Sequence, residues 1–534
     1  MRYYMGEDIC NSYIRDYYYI NPTVNDFFLK DEWSSRKGEQ PNVYLKGYDD
    51  KIQVLNQKYL DKLRKKGCLS FREGILKKDL IDAIHLQKLN RNFKYLPINS
   101  RNNILIDYVT ECSGEGIYLF QSRGDYNQFL LRLIKLKEIT DEIILLMRKG
   151  IQKKITLYRG CVEAIIHTIT EVLKNKSYRH KKKILISKKK WEGAVEENLV
   201  ESLKKLNNFL ISEYIDKSKK TFGLHSYKGG KKLYSTLLKM ETLEEATPSS
   251  IHSLGMNELK RLMGLKLKLE KEVNRGDIDK YMEKLRGYQN KKDIIPDLYK
   301  IQDDIIENVQ KKYFYGNVKK KDKYKIKEIR LENQNHFAYY LSGDLKDRRK
   351  GVFYINTSHP ERLNKHELYV LSLHEGFPGH HYEIDYHNKA NISDYFKISG
   401  YNSYSEGWGL YCESLGDFKD YRRRYYRIKY NILRALRLVL DTGIHYYGWD
   451  YKMCYDMIEK YLSYKEDNIH RVILRYVDQP CQALTYKVGE RTILYLRNKY
   501  LEKGGDIKDF HEIIMKLGPC PLNVLIDTFI LHYI

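Results

Sequence analysis

The segment His374-Glu375-Gly376-Phe377-Pro378-Gly379-His380-His381 is followed by Ser403-Tyr404-Ser405-Glu406-Gly407-Trp408-Gly409-Leu410-Tyr411-Cys412-Glu413. Together they bring imidazoles and carboxylates close in sequence, the residue types from which single-metal hydrolase sites are built. Such a site needs nitrogen or carboxylate ligands, an open position for water, and a carboxylate beside that water. The common arrangement sets two His one helical turn apart, with the Glu after the first as general base. Here the residue four after His374 is Pro378. On a straight helix His381 would share the face of His374 but stand about 10 Å further along the axis. Two nitrogens that each sit about 2 Å from one zinc cannot be so far apart. Pro378 has no N–H for the carbonyl of His374 and crowds that carbonyl, and Gly379 tolerates conformations other residues resist. A widened or broken turn is therefore expected, returning His380 toward His374. His380 is the favoured second ligand and His381 the alternative.

The third ligand should be a carboxylate on a following helix. Glu406 and Glu413 are seven apart, on one face, and Glu406 is assigned to the metal. Glu413 is placed behind it, where a carboxylate can fix a ligand His. Working outward, a small sheet should precede this helix: Tyr324–Leu331 alternates, Phe337–Leu341 is aromatic and Val352–Ile355 is apolar. Downstream the pattern is helical over Asp417–Thr442, Tyr451–Leu462, Ala483–Lys499 and Ile507–Lys516. Upstream, helices are expected at Leu157–Leu173, from Trp191 to Leu210, at Lys232–Lys239 and from about Ser249 to Val273, the last opened by Thr247 as cap and Pro248 at the first position. The expected fold class is mainly α with a small β-sheet. Three regions follow: a helical N-terminal part (1–150), a helical region with a basic segment (151–320) and a zincin-like catalytic core (321–534).

The 534 residues carry a net charge of +25, with hydrophobic residues at 42% and 49 Tyr. That content suffices for a substantial core and argues against wholesale disorder. The Lys excess, with abundant Ile, Asn and Tyr, suggests coding bias more than an anionic partner. The run Lys174–Lys190 reads first as a solvated segment and second as a polyanion patch. Eight Cys without a CxxC pair point to a reducing compartment. The start MRYYMGEDICNSYIRDYYY shows no signal-peptide pattern, and nowhere do about eighteen consecutive apolar residues occur. A cytoplasmic protein without a membrane span is expected.

HEGFPGHH, SEGWGLYCESL, RALRLVLDTGIHYYGW (434–449), RYVDQPCQALTYKVGERTILYLR (475–497) and the closing PLNVL resemble the motifs of the bacterial family called domain of unknown function 885. FYINTS (353–358) and the stretch from Gly229 to Leu262 also resemble it. The resemblance implies a place in the gluzincin-like metallopeptidase superfamily and a mostly helical fold around a small sheet. The Gly-His pair that closes the motif in other members supports His380 as ligand. Two departures are visible: Glu383 where members usually have Gln, and Cys481 where they have Gly.

The expected function is zinc-dependent hydrolysis, most simply of peptide bonds, with one Zn2+ on His374, His380 and Glu406 and Glu375 as general base. His445 and Tyr486 are candidate donors to the oxyanion, and Asp441 a candidate to orient a His. Arg475 and Lys487 are candidates for a substrate carboxylate, which would make the enzyme an exopeptidase. Two alternatives are an inactive peptidase-like basic protein that binds nucleic acid or another polyanion, and a hydrolase of a non-peptide amide or ester.

Overall fold

A computed structural model of the chain describes residues 8–28, 35–274, 276–285, 287–329, 337–344, 349–462 and 464–534. The chain forms two compact units. The first comprises residues 1–233 with 393–395 and 477–479, and the second comprises 234–392, 396–476 and 480–534. The expected divisions near 150 and 320 mark changes of sequence pattern. Residue 150 in fact lies inside a helix whose buried face continues into the packing of the next two.

That helix, α1 (Arg123–Lys153), organises the first unit. Ser122 accepts from the Asp125 N–H while the Asp125 side chain accepts from the Ser122 N–H, so two otherwise orphaned donors are satisfied at its start. Phe129, Leu133, Leu136, Ile143 and Met147 recur at helical spacing and are buried. They share a core with Val162, Ile165 and Ile169 of α2 (Arg159–Asn175) and with Trp191, Leu199, Leu203 and Leu206. Between residues 176 and 187 the basic run leaves helix. His180 anchors it through Nδ1 to the Cys112 carbonyl and Nε2 to the Tyr126 hydroxyl, both 2.8 Å. The lysines at 181–183 and 188–190 are exposed.

Among the described residues, the second unit has one three-stranded sheet and is otherwise built of helices and their connections. Its long helix α3 (Pro248–Glu272) starts as expected, with Thr247 capping the Ser250 N–H and Pro248 at the first position. The strands are β1 (Lys325–Glu328), β2 (Ala338–Leu341) and β3 (Val352–Ile355). Arg330 and Leu331, included in the expected first strand, lie outside the described residues. Strand β3 is central, parallel to β1 (Lys325 opposite Val352) and antiparallel to β2 (Ala338 opposite Ile355). Val352, Phe353 and Ile355 are buried, as an apolar run in a central strand should be.

Five helices follow that matter to the site: α4 (Lys365–Glu375), α5 (His380–Lys389), α6 (Asn402–Cys412), α7 (Tyr421–Thr442) and α8 (Thr485–Glu502). Every residue of α4 from Leu368 to His374 is buried, so the helix is surrounded rather than lying on a surface. Helix α3 packs along α7, and α6 packs along α8. The second crossing is close because it is made by glycines. A Cβ on Gly407 would stand 2.5 Å from the Gly489 backbone, and one on Gly489 would stand 2.0 Å from the Ser403 carbonyl oxygen. Among the described residues no helix is long and apolar enough to cross a membrane, and no disulfide joins any of the eight cysteines.

Gly489→Ala should therefore force α6 from α8 and lower unfolding free energy by about 1–3 kcal/mol. Gly264→Ala, in α3 with nothing near the new methyl, should be neutral or stabilising by up to about 1 kcal/mol. Denaturant melts of the two variants check this, and equal stability of both would contradict the close crossing.

Candidate metal centre

Helix α4 delivers His374 and Glu375 at its last turn and stops there. Its final backbone bond runs from the Gly376 N–H to the Ser372 carbonyl, 3.0 Å, and a new helix opens with the Glu383 N–H on the Gly379 carbonyl, also 3.0 Å. The helix is thus interrupted completely, not merely widened. Gly379 passes so close to the end of α4 that a Cβ there would stand 1.9 Å from the His374 carbonyl oxygen. Only glycine permits that approach. Trp408 of α6 holds the interruption, its indole N–H donating to the Pro378 carbonyl at 2.9 Å. The consequence is that His380 returns to His374, with ring centres 4.7 Å apart and planes nearly perpendicular.

Glu406 completes the group. Its Oε2 lies 3.4 Å from His374 Nε2 and 3.3 Å from His380 Nε2. Yet that oxygen is buried without a properly directed hydrogen bond. One ligand atom from each of the three residues lies within 4.8 Å of the other two. Two ligands at about 2.0–2.1 Å from one zinc, at a tetrahedral angle, are about 3.3–3.4 Å apart. The donor set and its spacing therefore fit a metal of this kind, and His374, His380 and Glu406 are the residues that could hold it.

Electrostatics tie the group together. Burial works against a charged His374, but Glu406 and Glu413 overcome it and hold the imidazole up at about 9. His380 is raised by Glu406 against burial and against its neighbour His374. Burial alone would raise the Glu406 carboxyl, yet the two imidazoles hold it well below the usual range. Glu413, 1% exposed, stands behind His374 with Oε1 3.0 Å from Nδ1. Arg434 of α7 donates to the same carboxylate from Nη2 at 3.2 Å. His374 is thereby oriented with Nε2 toward Glu406.

His381 turns the other way. Tyr340 of β2 bonds its Nδ1 at 2.8 Å and the Asp322 carbonyl takes its Nε2 at 2.7 Å. Both ring nitrogens are engaged with the sheet side, which removes His381 as the alternative to His380. Glu383 is buried; its Oε1 lies 3.0 Å from His387 Nδ1 and 3.4 Å from Ser405 Oγ.

Of the remaining candidates, Tyr486 is at the group. Its ring lies parallel to that of His374, 6.2 Å centre to centre. Its hydroxyl accepts from Arg475 Nη2 at 3.2 Å, which also reaches Gln482 Oε1 at 3.1 Å. Three others have different partners. His445 Nε2 is directed to the Tyr476 carbonyl at 2.8 Å and its ring stacks on Tyr234. Asp441 accepts from the Tyr234 hydroxyl at 2.7 Å and from the Cys481 N–H at 3.2 Å, so it holds a loop rather than a site histidine. At Cys481 φ is +68°, the left-handed region that favours glycine; the bond from its N–H to Asp441 holds this backbone in place. Lys487, 1% exposed, is bonded to Asn431 and Glu490 and is out of reach of a substrate. Sequence reading did not single out Trp408, Arg434 or Arg437. A Trp two residues after the ligand Glu and the repeated Arg of RALR were the only local signals.

The chain matches the family described as bacterial protein of unknown function (DUF885) over residues 35–528. No curated protein matches it. Two solved structures are similar along nearly the whole chain. One, from Colwellia psychrerythraea and provisionally assigned as a lipoprotein, has 18% identity and a TM-score of 0.81, covering 98% of this chain and 97% of the other. Another, provisionally assigned as a lipoprotein of unknown function from Shewanella oneidensis, has 16% identity and a TM-score of 0.70, covering 98% and 99%. At these identities the likeness concerns the fold. With its motifs and nearly all of its length matched, the chain belongs to the DUF885 family of bacterial proteins.

Proposed function

We propose that this protein is a zinc-dependent hydrolase of the gluzincin-like kind, with a zincin-type core in its second unit, and that it cleaves peptide bonds. The observation that carries the reading is the placement of Glu406 Oε2 at 3.4 and 3.3 Å from two imidazole nitrogens with no directed hydrogen bond to either. A zinc ion held by His374, His380 and Glu406 would supply Lewis acidity toward a carbonyl and lower the pKa of water toward neutrality.

The chain's own groups would do the rest. Glu375 follows the first ligand directly and takes the proton of the attacking water, then returns it to the departing amine. The Tyr486 hydroxyl, steadied by Arg475 and set beside His374, donates to the oxygen that gains charge in the transition state. Glu413 and Arg434 fix the ring of His374, so that its Nε2 keeps one direction through turnover. Eight cysteines without a disulfide favour a reducing, cytoplasmic setting. A hydrolytic site needs no further cofactor.

Metal analysis of the purified protein should find one zinc per chain, and His374→Ala or Glu406→Gln should lose it. Glu375→Gln should keep the metal while kcat on short peptides falls by about 10²–10⁴-fold. Full activity of that variant with zinc bound would remove Glu375 from the mechanism. His381→Ala should still bind one zinc, but lose about 1–3 kcal/mol of stability because Tyr340 and the Asp322 carbonyl are left without their partner. Loss of metal in His381→Ala, with retention in His380→Ala, would reverse the ligand assignment.

A further inference from the structure

We propose that Arg437 and Arg475, arranged around Tyr486, form an anion-binding wall that takes a carboxylate of the substrate; this rests on the peptide-hydrolase reading above. Tyr486 links the wall to the metal group, its ring parallel to His374. The Arg437 guanidinium lies 4.3 Å from the centre of that ring, and Arg475 Nη2 bonds the hydroxyl.

Arg437 is 7% exposed. Burial opposes its charge, yet Tyr476, Tyr486 and Glu406 hold it protonated. Its Nε and Nη1 have no hydrogen-bond acceptor. Among the described residues neither Arg437 nor Arg475 makes an ion pair with Asp or Glu, whereas Arg434 beside them is paired with Glu413. Glu406 favours the Arg437 charge without bonding to it; a buried guanidinium with no carboxylate in contact keeps unmet donors, and an incoming anion would satisfy them.

The local charges agree with this. A divalent ion at His374, His380 and Glu406, together with Arg434, would balance Glu375, Glu406 and Glu413. Glu367, a further carboxylate of this region, accepts from the Tyr430 hydroxyl, and burial pushes its carboxyl toward the neutral form. Arg437 and Arg475 are left over as positive charge. Guanidinium is also the side chain best matched to a planar carboxylate. Lys487, the other cation considered from sequence, is neutralised by Glu490. A peptide carboxylate has two sources, the free C-terminus and an Asp or Glu side chain. In either case water adds across the C–N bond: the hydroxyl goes to the acyl carbon and the proton passes through Glu375 to the amine of the released C-terminal piece.

The test uses zinc-loaded protein and three pools of N-acetylated tetrapeptides: neutral C-terminal amides, the same sequences as free acids, and amides with one Glu. At least one carboxylate pool should exceed the neutral amides in kcat/KM by about tenfold or more. Preference for the free acids identifies an exopeptidase, and preference for the Glu pool identifies side-chain recognition. In Arg475→Met, a half-buried position, the ratio between pools should fall toward one whatever happens to overall rate. Equal hydrolysis of all three pools by the wild type would overturn the wall and leave peptide hydrolysis standing. Equilibrium binding of the pools to Glu375→Gln gives the separate readout. Tighter binding of a carboxylate pool without any wild-type turnover would support the wall and reject the hydrolase reading, whereas no preference in binding would reject the wall.

Discussion

The Glu406 carboxylate between His374 and His380 is held from every side, and most of the second unit can be read as the means of holding it. Its oxygen sits at 3.4 and 3.3 Å from two imidazole nitrogens, an arrangement that would not persist if α4, α5 and α6 could slide. The approach of Gly379 to the His374 carbonyl returns the chain so that the second imidazole meets the first. Trp408, two residues from Glu406, then clamps that return by its bond to Pro378. One helix thus provides both the carboxylate and the clamp on the turn that leads to His380.

Around this group lies a second layer of charge. Glu413 faces the far nitrogen of His374 and is itself met by Arg434. The Gly407–Gly489 crossing presses α8 against α6, and that places Tyr486 parallel to His374. Beyond Tyr486 the guanidiniums of Arg437 and Arg475 have no carboxylate of their own among the described residues. With a divalent ion bound, the proposed site would grade from a balanced cluster to a cationic wall over a short distance. In a low-dielectric setting such a gradient orients an anionic partner before any contact forms.

How much was legible in the sequence depended on the range of the interaction. Helices came from periodicity and caps, as with Thr247 and Pro248 opening α3, and the apolar run Val352–Ile355 became the central strand. The broken helix at Pro378 was readable because proline and glycine act on their own backbone. Assignments that failed were those decided by distant partners. Lys487 meets Asn431, 56 positions away; His445 meets the Tyr476 carbonyl, 31 away; and Asp441 meets Tyr234, 207 away. A polar residue on an apolar helix carries no local mark of which group will satisfy it.

The amino-acid sequence by itself determined the helical class, the small sheet ahead of the His-Glu helix, the interruption at Pro378-Gly379, and His374, Glu375 and Glu406 as the residues to examine. These follow from backbone chemistry and periodicity, which act over a few residues. Tertiary structure alone decided between His380 and His381, because the choice depends on Tyr340 and Asp322 occupying both nitrogens of the second ring. It also decided that, among the described residues, Arg437 and Arg475 have no carboxylate in contact whereas Lys487 has Glu490. Burial and pairing are properties of the packed chain, and they sort identical side chains into structural and available ones.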